Sequence, residues 1–181
     1  MSTSTPTTAG RLNGKICLVT GGIRGFGASI VSLFVSHGAR CLVLDLLVPQ
    51  PGFYDPYTIE PPTPSPTSSA TAPVNAAYAV KADITTRSSW EQALSTSREV
   101  FGDIPTVIVN NAGWTYSNKP TLNVAEDEFD RVFNINVKSI YLSVDVILPA
   151  LLEKKASDAV FVNVSSTAAL RPRPGLVWCR Y

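Results

Sequence analysis

Residues 15–27 read Lys15-Ile16-Cys17-Leu18-Val19-Thr20-Gly21-Gly22-Ile23-Arg24-Gly25-Phe26-Gly27. The short apolar run predicts a buried strand, the glycines predict a turn, and the amphipathic segment 28–37 predicts a helix. A glycine turn lets an anion approach the backbone, where free N–H groups and the helix dipole attract it. The stretch therefore predicts a phosphate-binding turn, with an ordinary glycine turn as the alternative.

Length and composition restrict the class of protein. The 181 residues, 45% of them hydrophobic, are enough for one domain with a core. A net charge of +1 gives no sign of a nucleic-acid partner. No apolar run reaches the length of a membrane span, and residues 1–10 lack the apolar centre of a signal peptide, so we expect a cytoplasmic protein with a flexible leader over 1–10. Three cysteines without ligand spacing predict no metal site.

Strand and helix patterns alternate along the rest of the chain. This alternation predicts right-handed crossovers and an α/β fold with a doubly wound parallel sheet. Prolines interrupt the pattern over residues 46–76, and we expect an irregular insertion there, with a proline-rich docking segment as a minor alternative. The predicted strands after the first are 40–45, 77–81, 106–110 and 158–164, and the later helices are 88–101 and 126–155, the last with a break near its start.

Polar residues stand at the carboxyl ends of the predicted strands, where open parallel sheets bind their ligands. They are Thr20, Asp45, Asp83, Asn111 and Ser166. Their convergence on one sheet edge predicts a single ligand site within a domain that covers residues 11–181.

Asp45 bears on the choice of cofactor. It follows Gly21 by 24 residues, close to where dinucleotide folds place the carboxylate that binds the adenosine ribose. A carboxylate there repels a 2′-phosphate, which favours NAD over NADP, whereas Arg24 in the turn favours NADP. We expect the effect of Asp45 to be the larger one, and a solvated acid at a strand end is the alternative.

Two motifs together resemble the short-chain dehydrogenase/reductase family. They are Thr20-Gly21-x-x-x-Gly25-x-Gly27 and Asn110-Asn111-Ala112-Gly113. The resemblance implies a Rossmann-type sheet and hydride transfer between NAD or NADP and a small carbonyl or alcohol substrate. It also implies roles for single residues: Ile23 and Arg24 belong to the cofactor turn, Asp83 binds the adenine amino group, Asn111 lies beside the ribose, and Lys138 lies on the cofactor side.

The resemblance also implies catalytic residues. Ser166 matches the serine that hydrogen-bonds the substrate oxygen, and Asn136 matches an asparagine whose backbone carbonyl holds a water of the proton relay. A structural role explains a polar Asn136 equally well. The long helix from Glu126 pairs between subunits in this family, so a complete chain is expected to form a homo-oligomer.

The sequence departs from the family where the catalytic tyrosine is expected. Thirteen residues after Ser166 stands Cys179, and Tyr181 comes two residues later without a lysine after it. We therefore expect a Rossmann domain that is incomplete at its C-terminal side, through a misread exon boundary or a premature stop after Trp178. The last strand should then form an unpaired apolar edge. The alternatives to an oxidoreductase are a non-catalytic nucleotide-binding fragment and a fragment without stable function.

Overall fold

The fold is one six-stranded sheet with helices on both faces. The computed structural model describes residues 10–48, 50–56, 76–171 and 173–178. The strands are β1 Ile16–Thr20, β2 Arg40–Asp45, β3 Gly52–Tyr54, β4 Ala77–Lys81, β5 Val107–Asn110 and β6 Val160–Asn163. The helices are α1 Gly25–Ser36, α2 Arg87–Phe101, α3 Glu126–Phe133 and α4 Ser139–Glu153, with a π-helical turn, Asn134–Lys138, between α3 and α4. The strand order is β3-β4-β2-β1-β5-β6, and only the β3–β4 pair is antiparallel.

Successive side chains of the central strands point to opposite faces and form two cores. Leu18 of β1 packs in the core that includes α2 and α4, whereas Val19 packs in the core that includes α1. Trp90 of α2 is fully buried in the first core, and its indole Nε1 donates a hydrogen bond to the Ile84 carbonyl at 2.9 Å. Helices on both faces of a mainly parallel sheet confirm the predicted α/β fold.

The expectation of an irregular segment over 46–76 is wrong for β3. Phe53 and its neighbours pair antiparallel with β4. The strand fits because Pro51 and Pro56 lie outside it, and because the Phe53 ring meets Tyr78 edge-on with ring centres 5.0 Å apart. Residues 57–75 of the insertion, and residues 1–9 of the expected leader, lie outside the described residues.

Helix α1 begins three residues before the predicted start. The reason is the close packing of its first turn, where a Cβ on Gly27 would lie 2.0 Å from the Gly21 carbonyl oxygen. Glycine at position 27 permits this tertiary contact, although glycine lowers helix propensity. A prediction based on helix propensity therefore starts the helix too late. The predicted ends of the other strands and helices agree with the structure to within a few residues.

The helical stretch Glu126–Glu153 contains an 18-residue window with a mean hydropathy of 1.5, which is long and apolar enough to cross a membrane. The expectation that no segment meets this test is therefore wrong. One such helix is weak evidence for a membrane span, since the core helix of a globular protein passes the same test. Buried residues of its α4 half, among them Leu142, Ile147 and Leu151, pack in the core with α2 and the sheet.

Strand β6 lies at the edge of the sheet, as expected for the last strand. Among the described residues only β5 pairs with it. Val160 and Val162 remain 47% and 42% exposed on this strand.

The packing of α4 predicts unequal effects of truncating its apolar side chains. Ile147 is fully buried, so Ile147→Ala should lower the free energy of unfolding by about 2–5 kcal/mol. Leu152 on the same helix is 68% exposed, so Leu152→Ala should cost less than about 1 kcal/mol. Urea unfolding followed by circular dichroism measures both, and equal losses would contradict this packing.

Candidate functional site

The glycine turn between β1 and α1 leaves a helix end open to an anion. Gly21 and Gly25 have φ values of +64° and +56°, which L side chains rarely adopt. A Cβ on Gly25 would meet no atom of the described part of the chain within 4 Å, so the space beside this residue is open there. Among the described residues no side chain caps the N-terminus of α1, and its first turn carries no acidic residue. This geometry can bind a phosphate through backbone N–H groups.

Thr20 and Asn111 fasten this turn to the end of β5. The Thr20 hydroxyl oxygen accepts the N–H groups of Asn111 and Ala112, both at 3.0 Å. The Asn111 side-chain amide donates to the carbonyls of Thr20 and Gly21, at 2.9 and 3.2 Å. Thr20 is only 1% exposed, so its hydroxyl serves to position the turn and does not face a ligand directly.

The two predicted carboxylates occupy different surroundings. Asp45 is buried, and its Oδ1 accepts the N–H of Leu47 at 3.0 Å, which fixes the chain directly after β2. Asp83 is exposed, and its Oδ1 accepts both the N–H and the hydroxyl of Thr85, at 2.9 and 2.7 Å. Each carboxylate thus shapes the loop that follows its strand.

A cavity of about 920 Å³ lies beyond the ends of β5 and β6. It brings together three of the predicted site residues, Asn111, Asn136 and Ser166. The other predicted residues do not line it. They are Thr20, Gly21, Ile23, Arg24, Gly25, Gly27, Asp45, Asp83 and Lys138.

Ser166 is exposed on the wall of this cavity. It precedes the short 3-10 turn Thr167–Ala169, and its Oγ accepts the N–H of Ala168 at 3.2 Å. Because the hydroxyl oxygen is the acceptor in this contact, the O–H group can still donate to a ligand.

Asn136 lies in the π-helical turn, and its side chain hydrogen-bonds both backbone groups of Trp114. Its Oδ1 accepts the Trp114 N–H at 2.9 Å, and its Nδ2 donates to the Trp114 carbonyl at 3.0 Å. The guanidinium of Arg131 stacks 4.3 Å from the centre of the Trp114 ring. The predicted break in the long helix is thus a π-helical turn that turns a polar side chain toward the cavity wall. Lys138 ends the same turn and is exposed.

The sequence does not identify the partners of the buried Asn110 amide, which lies behind the cavity. The Nδ2 of Asn110 donates to Ser143 Oγ at 3.0 Å and to Asn163 Oδ1 at 2.9 Å. These contacts join β5, α4 and β6. The available signal was an asparagine at the end of each of two apolar strands, because a buried amide needs partners.

An ion pair fixes the loop after Trp114 to the start of α3. The Lys119 ammonium lies 2.7 Å from both carboxylate oxygens of Glu128, and Glu128 also accepts the Ala125 N–H at 3.1 Å. These contacts hold the pKa of Glu128 below its ordinary value, first through Lys119 and second through the Ala125 N–H. The pair is therefore retained above the ordinary carboxyl pKa and is lost as the pH falls through the lowered one.

Comparison with known proteins agrees with this geometry. The family model for short chain dehydrogenase matches residues 63–179. The 4-formylbenzenesulfonate dehydrogenase of Comamonas testosteroni is 35% identical over 92% of this chain and 60% of that protein. A 3-ketoacyl-(acyl-carrier-protein) reductase of Brucella melitensis, solved with NADH, superposes with a TM-score of 0.76 at 30% identity, over 93% of this chain and 64% of that one.

The chain belongs to the short-chain dehydrogenase family. It spans less than two thirds of the length of these two relatives. A galactitol 2-dehydrogenase of Agrobacterium fabrum is 29% identical over 89% of this chain and 56% of that protein. The family acts on small molecules and uses NAD or NADP, and its sheet is the Rossmann-type sheet expected from the motifs.

Thr20 holds the glycine turn of this chain in place. The Thr20→Val variant removes the acceptor of two backbone N–H groups, so the free energy of unfolding should fall by at least about 2 kcal/mol. The Thr20→Ser variant keeps the oxygen and should lose about 1 kcal/mol or less. Urea unfolding of the two variants measures the difference, and a serine variant as unstable as the valine variant would contradict the role of the hydroxyl.

Proposed function

We propose that this chain binds a nicotinamide dinucleotide and forms part of an oxidoreductase that transfers hydride between the dinucleotide and a carbonyl or alcohol. The open, uncapped end of α1 beside Gly25 is the observation that carries this proposal. It lies in the turn after β1, while Asp45 ends β2, and Asp83 and Asn111 come after β4 and β5 of the same sheet. When bound, the nicotinamide ring supplies or accepts the hydride.

The turn supports binding of the pyrophosphate. The N–H groups of the first helical turn have no side-chain cap from the residues that the structure describes, and the helix dipole favours negative charge at this end. Arg24 is exposed beside it and adds a positive charge. Ile23 is half-buried and packs against the core that includes α1, which fixes the turn on the sheet. Gly27 allows the helix to approach the Gly21 carbonyl closely.

Three further residues are proposed contacts of the nucleoside and ribose groups. Asp83 is exposed after β4 and has carboxylate oxygens that can accept the adenine amino group. Asn111 holds the chain after β5 flat against the glycine turn, so that a ribose can lie along the backbone there. Lys138 is exposed at the end of the π-helical turn and supplies a cation on the cofactor side.

Ser166 and Asn136 are the proposed catalytic residues of this chain. The Ser166 hydroxyl faces the cavity and can donate to a substrate oxygen. Asn136 uses its side chain on Trp114, so any role in a proton relay falls to its backbone carbonyl. The proposed partners are a small carbonyl or alcohol substrate and a second copy of the chain, and the proposed location is the cytoplasm.

Dinucleotide binding without turnover is the second candidate function. The observation that favours it is Cys179, which stands where the family resemblance implies the tyrosine that transfers the proton. Cys179 lies outside the described residues. The two candidates differ in one measurement, since only an oxidoreductase would oxidise NADH in the presence of a carbonyl substrate.

Gly25→Ala tests the proposed dinucleotide site. The added methyl group occupies the space that a phosphate needs, so we expect NADH affinity, measured by fluorescence titration, to fall at least tenfold. The left-handed φ adds a stability cost of about 1–2 kcal/mol.

Gly14→Ala is the matched control for that cost. Gly14 has a φ of +76° and equally open surroundings, but it lies before β1, near the amino end of that strand, whereas Gly25 lies beyond its carboxyl end. We expect a similar loss of stability with unchanged NADH affinity. A wild-type chain that does not bind NADH, or a Gly25→Ala variant that binds it normally, would refute the proposed site.

Asp45→Asn tests the preference for NAD. The asparagine keeps an oxygen for the Leu47 N–H but removes the charge that repels a 2′-phosphate. We expect the ratio of NADPH to NADH affinity to rise at least tenfold, and Arg24→Gln to lower the same ratio. Fluorescence titration with both dinucleotides gives the ratio, and an unchanged value in Asp45→Asn would place the ribose elsewhere.

A further inference from the structure

The charge on the described part of the wall of the cavity beside Ser166 is positive and comes from one arginine. Among the described residues that line it, Arg173 is the charged one, and none is a carboxylate, lysine or histidine. The other described residues of the wall are uncharged, and several of them are apolar, among them Trp114, Ile140 and Leu176. A cavity with one guanidinium and no opposing carboxylate favours an anionic ligand.

We infer that Arg173 selects a substrate with an aromatic ring and an anionic substituent, such as a carboxylate or sulfonate. The inference rests on the proposed function, because it names the substrate class of the same site. The carbonyl or alcohol group of that substrate would face Ser166, and the anion would face Arg173. Arg173 is a binding and specificity residue and takes no part in the hydride transfer.

Several hydrogen bonds fix the segment that carries Arg173. The Asn118 side-chain amide donates to the Pro174 carbonyl at 3.1 Å, and the Lys119 N–H donates to the Gly175 carbonyl at 3.2 Å. The Arg173 carbonyl itself accepts the Leu176 N–H at 3.0 Å. The backbone of Arg173 is thus held against the loop that follows Trp114, which limits the entropy lost when its side chain binds an anion.

The guanidinium of Arg173 can bind a ligand anion. No carboxylate forms an ion pair with it among the described residues, whereas Arg87 pairs with Asp145. Arg173 lines the cavity and is exposed, so its charge is hydrated and carries no large desolvation cost before a ligand binds. A planar guanidinium binds a carboxylate or sulfonate with two parallel hydrogen bonds, which gives direction as well as affinity.

Trp114 supplies the aromatic part of the selection. The Asn136 side chain hydrogen-bonds the N–H and the carbonyl of Trp114, and the Arg131 guanidinium stacks on the Trp114 ring, 4.3 Å from its centre. A ring held in this way offers a flat, rigid surface on which a second ring can stack. The cavity volume of about 920 Å³ is within the range of small-molecule sites and accommodates a single-ring substrate beside a nicotinamide.

The test compares two aldehydes that differ in charge. The full chain, without a dinucleotide so that no hydride can be transferred in either direction, is titrated with 4-carboxybenzaldehyde and with 4-methylbenzaldehyde in a calorimeter. We expect the anionic aldehyde to bind at least tenfold more tightly. Arg173→Gln should remove this preference, and Arg173→Lys should retain part of it, because lysine keeps the charge but loses the paired hydrogen bonds.

Arg171→Gln is the matched control, since Arg171 is exposed two residues away and does not line the cavity. It should leave the preference unchanged, which separates a local contact from the overall charge of the segment. Equal binding of the two aldehydes by the wild-type chain, or a preference that survives Arg173→Gln, would overturn the inference. A separate NADH titration tests the proposed function, so that binding of NADH without a preference among aldehydes refutes only the role of Arg173.

Discussion

The hydroxyl of Thr20 is the contact on which the geometry of the site depends. It lies at the end of β1, almost fully buried, and accepts two N–H groups from the chain after β5. Asn111 returns two hydrogen bonds to the glycine turn. Buried polar groups must be satisfied together, so the turn and the segment after β5 hold one another in place. The same hydrogen bonds therefore hold the proposed phosphate-binding turn and the chain after β5, which lines the proposed substrate cavity, in a fixed position relative to each other.

Close packing adds a second constraint to this connection. A side chain on Gly27 would collide with the Gly21 carbonyl, and a side chain on Gly22 would lie 2.8 Å from Val43. The glycines thus serve two purposes, because some permit a left-handed φ while others permit contact between backbone and core. Glycine lowers the helix propensity of the first turn of α1, but it allows this turn to pack closely against the Gly21 carbonyl.

The cavity beside Ser166 depends on contacts between residues far apart in the chain, which leave no pattern in the local sequence. Trp114, Asn136 and Arg173 come from three separate segments, and hydrogen bonds between loops bring them to one cavity. Sequence spacing located Asn136 and Ser166 through their resemblance to family motifs. It did not detect Arg173, because the path of the chain after Ser166 follows from its contacts with residues 116–119. Nor did it identify the partners of the Asn110 amide, which lie on α4 and β6.

The sequence by itself determined the alternation of strands and helices, the glycine turn and the edge of the sheet at which polar residues gather. These features follow from periodicity and backbone chemistry, which act over neighbouring residues. Tertiary structure decided the antiparallel strand β3, the π-helical turn before α4 and the charge of the cavity. Each of these depends on residues far apart in the chain, such as Phe53 against Tyr78, whose contact forms only when the sheet has assembled.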